Sequence, residues 1–290
     1  MSAFFRRHPG AVAWLLLAPG LLYLAVFYIV PTIQMFLVSM QTGSLGAGYQ
    51  QTFNLAIYPQ QISKYWDEFV RSVVFGGSAT LLCLALGFPL AYFIAFRGGR
   101  YKSLLLFLII APFFTSFLLR TISWKIIFAD NGMLLGPLKD IGLLPASFHL
   151  LATPVAVIAG ITYNFLPFMT LPLYVALEKI PASTLEAAQD LYADPSSRFR
   201  RVTLPLAMPG VIAGSLLTFI PAVGDFVNAE LLGNPQSQMI GNVIQARFLK
   251  VGDYPMGSAL SFILMFAILA AVLVYARIAG TEELYGAKTA

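Results

Sequence analysis

The sequence predicts an all-α polytopic membrane protein with six membrane-spanning helices. Three observations carry that expectation. Of its 290 residues 58% are hydrophobic and only 11% charged, against about 25% charged in soluble domains, and the mean hydropathy is +0.78. The apolar residues gather into six stretches, each near or above the roughly 20 residues that cross a bilayer as a helix. Between alternate stretches, Lys and Arg crowd into short polar segments, as the charge bias of cytoplasmic loops requires. The net charge of +5 is therefore a topology signal and not a phosphate-binding patch. Cys83, the single cysteine, lies in an apolar run and reads as a packing residue. His8 and His149 are the only histidines and lie too far apart in sequence to suggest a histidine-based metal site, so no metal ligand is expected.

The elements follow in order. Residues 1–40 comprise a basic tail with Arg6 and Arg7 and a first span from Ala11 to Met40. Its apolar run is about twice the 7–15 residues of a cleaved signal core. Residues 41–68 are polar and rich in Gly, Gln and Tyr, and read as an external loop. Residues 69–278 hold five further spans. The second is Phe69 to Phe96, with Gly76, Gly77 and Gly87 for close helix approach. A basic turn with Arg97, Arg100 and Lys102 precedes the third, Ser103 to about Leu119. An external loop, Arg120 to Leu150, leads to the fourth, Leu151 to Leu177. A cytoplasmic segment, 178–205, precedes the fifth, about Leu206 to Val227. A loop to Tyr254, with a short amphipathic helix over Ile240 to Leu249, leads to the sixth, Pro255 to Ile278, and 279–290 is a tail. The basic residues assigned inside outnumber those outside although the inside loops are shorter, which places both termini in the cytoplasm.

The polar segment around Glu186 is the stretch most able to meet a soluble partner. Pro181 breaks the chain, and Ser183 precedes Glu186 by three residues, a capping-box start. Ala187 and Ala188 propagate a helix with a small face. Asp194-Pro195 is a second start, Arg198, Arg200 and Arg201 follow, and Leu204-Pro205 with Pro209-Gly210 read as its end. Two short helices at an angle are expected. Taken alone, this pattern also suits a plain surface loop.

Glu186-Ala187-Ala188, Val202, Leu204-Pro205 and Pro209-Gly210 resemble the EAA signature of binding-protein-dependent ABC importer permeases. The resemblance implies a type I importer permease architecture in which a cytoplasmic coupling helix docks on a separate ATPase. Glu186, Ala187, Ala188, Asp190, Leu191, Arg201, Leu204 and Pro205 would carry that contact. Tyr192 stands where the family has glycine, so the turn there is expected to be built differently, around Asp194-Pro195. The segments Thr162 to Tyr174, Phe219 to Gly233 and Met239 to Ile244 are similar to spermidine/putrescine importer permeases. That implies a second homologous permease, two ATPase subunits and an extracellular polyamine-binding protein as partners. ATP and Mg would sit on the ATPase, with no cofactor on this chain.

Ionisable and amide groups within spans are the candidate substrate path. Asp225 follows Pro209 by a helical rise of about 24 Å, near the external end of its span, just past Pro221 and Gly224. It reads either as a cation contact or as an acid facing external water. Glu230 lies in the rim or loop beyond. Asn164 requires a partner in lipid, from a neighbouring helix or from a water-filled path. Tyr163 and Phe165 offer aromatic faces to an ammonium group or simple packing, and Trp124 lies near the interface. No G-x-x-x-x-G-K-[ST] loop occurs, so ATP hydrolysis is expected on another chain and this one is not expected to be an enzyme. An oxyanion or iron permease of the same class, and an ion-coupled carrier acting alone through Asp225, are the alternatives. A membrane enzyme ranks last, because no G-x-S-x-G or H-E-x-x-H motif is present.

Overall fold

The structure is a computed structural model that describes residues 9–190 and 194–278. Leu191, Tyr192 and the tail 279–290 lie outside the described residues. The chain divides into two compact units, Met1–Lys64 with Ala246–Ile263, and Tyr65–Gln245 with Leu264–Ala290.

In the first unit, α1 (Pro9–Leu24) continues through a π turn (Ala25–Ile29) into α2 (Val30–Ser39). The polar segment that follows is not all loop. Strands β1 (Gln41–Ser44) and β2 (Gly48–Gln51) pair antiparallel, Gln41 opposite Gln51 and Ser44 opposite Gly48. Gly43 at φ 134° faces the Gly48 carbonyl so closely that a Cβ would collide with it, and only glycine fits such a turn. The Tyr49 hydroxyl donates to the Gly252 carbonyl at 2.5 Å, and Ser39 Oγ meets Tyr58 Oη at 2.6 Å at the start of α3 (Ile57–Lys64).

The second unit is built on three long helices, α4 (Trp66–Arg97), α8 (Pro154–Glu178) and α11 (Leu204–Val223). Glycines set their spacing. A Cβ on Gly210 would reach Ala176 Cβ at 2.5 Å and the Pro172 carbonyl at 2.7 Å, and one on Gly214 would reach Met169 Sδ at 2.9 Å. Met169, fully buried, fills the seam. In lipid, where apolar burial offers little drive, such close backbone approach is what holds helices together.

Two departures from the sequence reading concern this unit. The third span is broken. α5 (Lys102–Ile110) and a 3-10 turn (Ala111–Phe114) lead to α6 (Phe117–Ile127) across a bend of 95°. Thr115 (φ −101°, ψ 151°) and Ser116 (φ −58°, ψ 136°) are extended between them. Arg120 and Trp124 are thus within a helix and not in an external loop. Apolar residues on both sides of the break hide it from a hydropathy reading. α7 (Leu135–Asp140) follows in the loop.

The second departure lies in the polar segment 178–205. α9 (Ala182–Asp190) starts one residue ahead of Ser183, so Ser183 sits inside the helix and does not cap it. α10 (Pro195–Arg198) does not stop at Pro205 or Pro209. It runs through a π turn (Phe199–Thr203), in which the Leu204 amide bonds the Phe199 carbonyl, straight into α11. The expected pair of short helices is one short helix and the extended foot of the fifth span. Beyond α11, α12 (Val227–Leu232), α13 (Ile240–Ala246) and α14 (Tyr254–Ile278) complete the chain. Among the described residues, five helices are long and apolar enough to cross a membrane, or six if the bent pair counts as one span.

Candidate functional site

Two candidate sites emerge, one at the polar foot of the fifth span and one within the spans. At the foot, Asp194 Oδ2 accepts from the amides of Ser196 (3.0 Å) and Ser197 (3.2 Å) and caps α10, as the Asp-Pro pair predicts. Phe199 then reaches back to α4. Its ring stands edge-on to Phe88 at 5.5 Å and to Tyr92 at 6.5 Å. The sequence reading passed over Phe199, although a lone aromatic among Arg198, Arg200 and Arg201 is its own signal of an anchor. Leu185 of α9 and Leu204 of α11 pack on the same apolar core, which contains Ile94, Leu177 and Ile180.

That packing orients α9. Ala188 is buried, while Glu186, Ala187 and Asp190 are exposed, as are Arg201 and Pro205. Arg198 Nη1 donates to Gln189 Oε1 at 3.3 Å, tying α10 to α9. A cleft of about 460 Å³ opens beside α9, lined by Tyr92, Lys102, Glu178, Glu186 and Arg198 among others. Across it Lys102 Nζ pairs with Glu178 Oε1 at 3.4 Å.

Within the spans, four polar side chains form a connected chain. Asp225 is 6% exposed, Asn164 1%, and Asn228 and Thr121 0%. Asp225 Oδ1 accepts from the Asn228 amide at 2.9 Å and Oδ2 from Asn228 Nδ2 at 2.7 Å. Asn164 Nδ2 donates to Asn228 Oδ1 and to Thr121 Oγ1, both at 3.2 Å. Thr121 Oγ1 lies 3.1 Å from the Phe117 carbonyl and 3.4 Å from Asn228 Oδ1. The chain thus joins α6, α8 and α12. Asp225 is a buried acid that caps the first turn of α12, not one facing external water. Gly160 gives α12 room, since a Cβ there would meet Asn228 Oδ1 at 2.6 Å.

Aromatic rings flank this chain. Tyr163 stands edge-on to Trp124 at 5.1 Å, and Phe165 packs on Phe117 at 6.2 Å and Phe168 at 6.0 Å. Glu230 is exposed and accepts from Asn242 Nδ2 at 3.3 Å. Among the described residues, three buried polar atoms in this region have no hydrogen-bond partner: Asn164 Oδ1, Thr218 Oγ1 and Arg120 Nε. Thr121 and Asn228 were not singled out in the sequence. Their roles depend on neighbours about 40 to 100 positions away, and the only local hint is an amide three residues past Asp225. No group of three or more metal-ligating side chains occurs among the described residues.

The sequence matches the binding-protein-dependent transport system inner membrane component family over residues 87–280. It is 39% identical to the spermidine/putrescine transport system permease protein PotB of Haemophilus influenzae, over 88% of this chain and 90% of that protein. It is 38% identical to PotB of Escherichia coli, over 88% and 93%. The inner membrane ABC transporter permease protein YdcU of Escherichia coli is 30% identical over 91% and 88%. Among solved structures, a bacterial ABC transporter involved in import of the acidic polysaccharide alginate superposes with a TM-score of 0.76. At 17% identity it covers 95% of this chain and 96% of its own. The inward-facing MetNI methionine ABC transporter gives 0.60 at 17% identity, over 76% and 96%. These two establish the fold. With the family match and the PotB relatives together, this chain belongs to the binding-protein-dependent transport system inner membrane components, the permease subunits of ABC importers.

Proposed function

We propose that this chain is the permease subunit of an ATP-driven importer that passes a polyamine such as spermidine or putrescine across the inner membrane by alternating access. The likeness to PotB along nearly the whole of both chains carries the reading. The site chemistry supports it. Asp225 supplies a carboxylate whose neighbours are amides and not cations. Asn164 Oδ1 is a buried acceptor without a donor, and an ammonium group brings donors only. The rings of Tyr163, Phe165 and Trp124 add faces for the methylene chain and its charge.

In this reading the exposed face of α9, with Glu186, Ala187 and Asp190, docks on one of two ATPase subunits that hold ATP and Mg. Arg201 and Pro205, both exposed, flank the contact, and Ala188 and Leu204 hold it to the span. A second homologous permease completes the path, an extracellular polyamine-binding protein delivers the solute, and both termini lie in the cytoplasm. This chain binds no cofactor.

The test is uptake of labelled spermidine and putrescine by cells carrying the wild-type chain or Asp225→Asn. Asparagine caps a helix as well as aspartate does, so the substitution removes charge and leaves α12 in place. Uptake should fall about tenfold or more, the worth of a charge-assisted bond. Unchanged uptake would remove Asp225 from the path. Uptake of an oxyanion or iron in place of polyamine would overturn the substrate.

A further inference from the structure

Arg120 is a cation inside a span, with no counter-charge among the described residues. No carboxylate among the described residues pairs with it, and its Nε is buried without a hydrogen-bond partner. What holds the guanidinium is aromatic: it lies 4.9 Å from the centroid of Phe113 and 5.7 Å from that of Phe117. These two rings sit on opposite sides of the 95° break. The rise from Gly99 to Phe114 is about 24–28 Å, short of the roughly 30 Å apolar layer, so the break falls within it. α6 begins there with Ser116 making no side-chain cap bond, and its unsatisfied first amides carry positive partial charge. Arg120 and the start of α6 therefore add to one unneutralised positive field. It stands one residue from Thr121, the end of the polar chain that reaches Asp225.

An unpaired intramembrane cation is costly and persists where it does something. Accepting the reading of this chain as a permease for an organic cation, the requirement is clear. An inside-negative membrane potential pulls every small cation inward, and a path with a carboxylate and cation-binding rings invites them. Fixed positive charge, from an arginine or from half-helix ends, is a general barrier to such leak. We propose that Arg120 is the seal of the path: its charge, reinforced by the uncapped end of α6, excludes sodium, potassium and protons at rest. Thr115 and Ser116, extended between the two half-helices, form the hinge that carries Arg120 aside when the path opens. The Phe113 and Phe117 faces park the guanidinium without neutralising it, which an acid would do.

Leak is read without polyamine, so the test is separate from the substrate assignment. The whole transporter, purified with its partner subunits through a tag on this chain, is reconstituted in liposomes, and sodium entry is followed under an imposed inside-negative potential without ATP. Wild type should be tight, and Arg120→Lys should stay tight. Arg120→Gln should leak more by on the order of tenfold, the effect of removing one nearby charge. Arg120→Cys separates charge from volume. Cys83, the one native cysteine of this chain, is fully buried, so on this chain thiol reagents act at position 120 alone, and the wild-type transporter treated in parallel reports any effect through partner cysteines. A positively charged methanethiosulfonate should close the leak, and a neutral one of equal size should not. Equal sealing by both reagents, or no leak in either variant after co-purification confirms assembly, would overturn the proposal. A wild-type transporter that is tight but carries no polyamine would overturn the substrate and leave the seal standing.

Discussion

Ala187 and Ala188 are neighbours in sequence with opposite surroundings, one exposed and one buried. A bulky residue at each should therefore fail differently. Ala187→Trp should leave the fold intact and block docking, so that uptake is lost while ATP hydrolysis by the assembled transporter continues. Ala188→Leu should overpack the seam below α9, at a cost of about 1–3 kcal/mol, read as a lowered melting temperature in detergent. Asn228 is a second residue whose weight is visible only in the structure. Its backbone N–H and its Nδ2 both donate to Asp225, and Asn228→Leu leaves the carboxylate with backbone amides alone. Loss of one bond to a buried charge costs about 1.5–3 kcal/mol, and thermal unfolding should report it. The sequence names Asp225 and Asn164 as polar groups in apolar runs, because each is anomalous by itself. It does not name Thr121, since a threonine in a membrane helix ordinarily bonds the carbonyl four residues back, as Thr121 also does.

At the scale of elements, the spans that read most clearly are uninterrupted apolar runs, and α4, α8 and α14 lie within a few residues of their expected bounds. Elements defined by backbone geometry do not read that way. The β1–β2 hairpin rests on Gly43 at φ 134°, and the third-span break rests on two extended residues in otherwise apolar sequence. The loop after that break carries a small ionic tie. The His149 Nδ1–H group donates to Asp130 Oδ2 at 2.7 Å and Lys139 Nζ to Asp130 Oδ1 at 3.2 Å. The hydrogen bond from His149 holds the Asp130 carboxyl below its ordinary range, with Lys139 adding to the effect. Because the folded value is the lower one, the tie contributes fully above the unfolded value of about 3.9 and is lost as pH falls through the depressed value. Limited proteolysis of the 131–150 loop should be constant from neutral pH down to that range and then accelerate. His149→Ala should raise the cleavage rate at every pH above it.

For the whole molecule, the division of labour is the main expectation. The chain has the spans of a permease, and its sequence contains no phosphate-binding loop. Reconstituted alone in liposomes it should move no solute against a gradient. Adding its ATPase partners, its second permease and the binding protein should restore uptake that depends on ATP. Activity of the isolated chain under a proton or sodium gradient would instead identify an ion-coupled carrier.

The π turn at Phe199–Thr203 makes the polar foot and the fifth span one rod with one phase. It holds a residue more than a regular turn would. The extra residue is taken up inside that turn, so deleting one residue there would restore ordinary winding and leave foot and span facing much as they do now. Deleting one from the regular helix of α11 would instead swing everything below it by about 100° and turn Phe199 away from α4, although composition, length and hydropathy would scarcely change. The rod absorbs a change in count at this turn and nowhere in the even winding beside it.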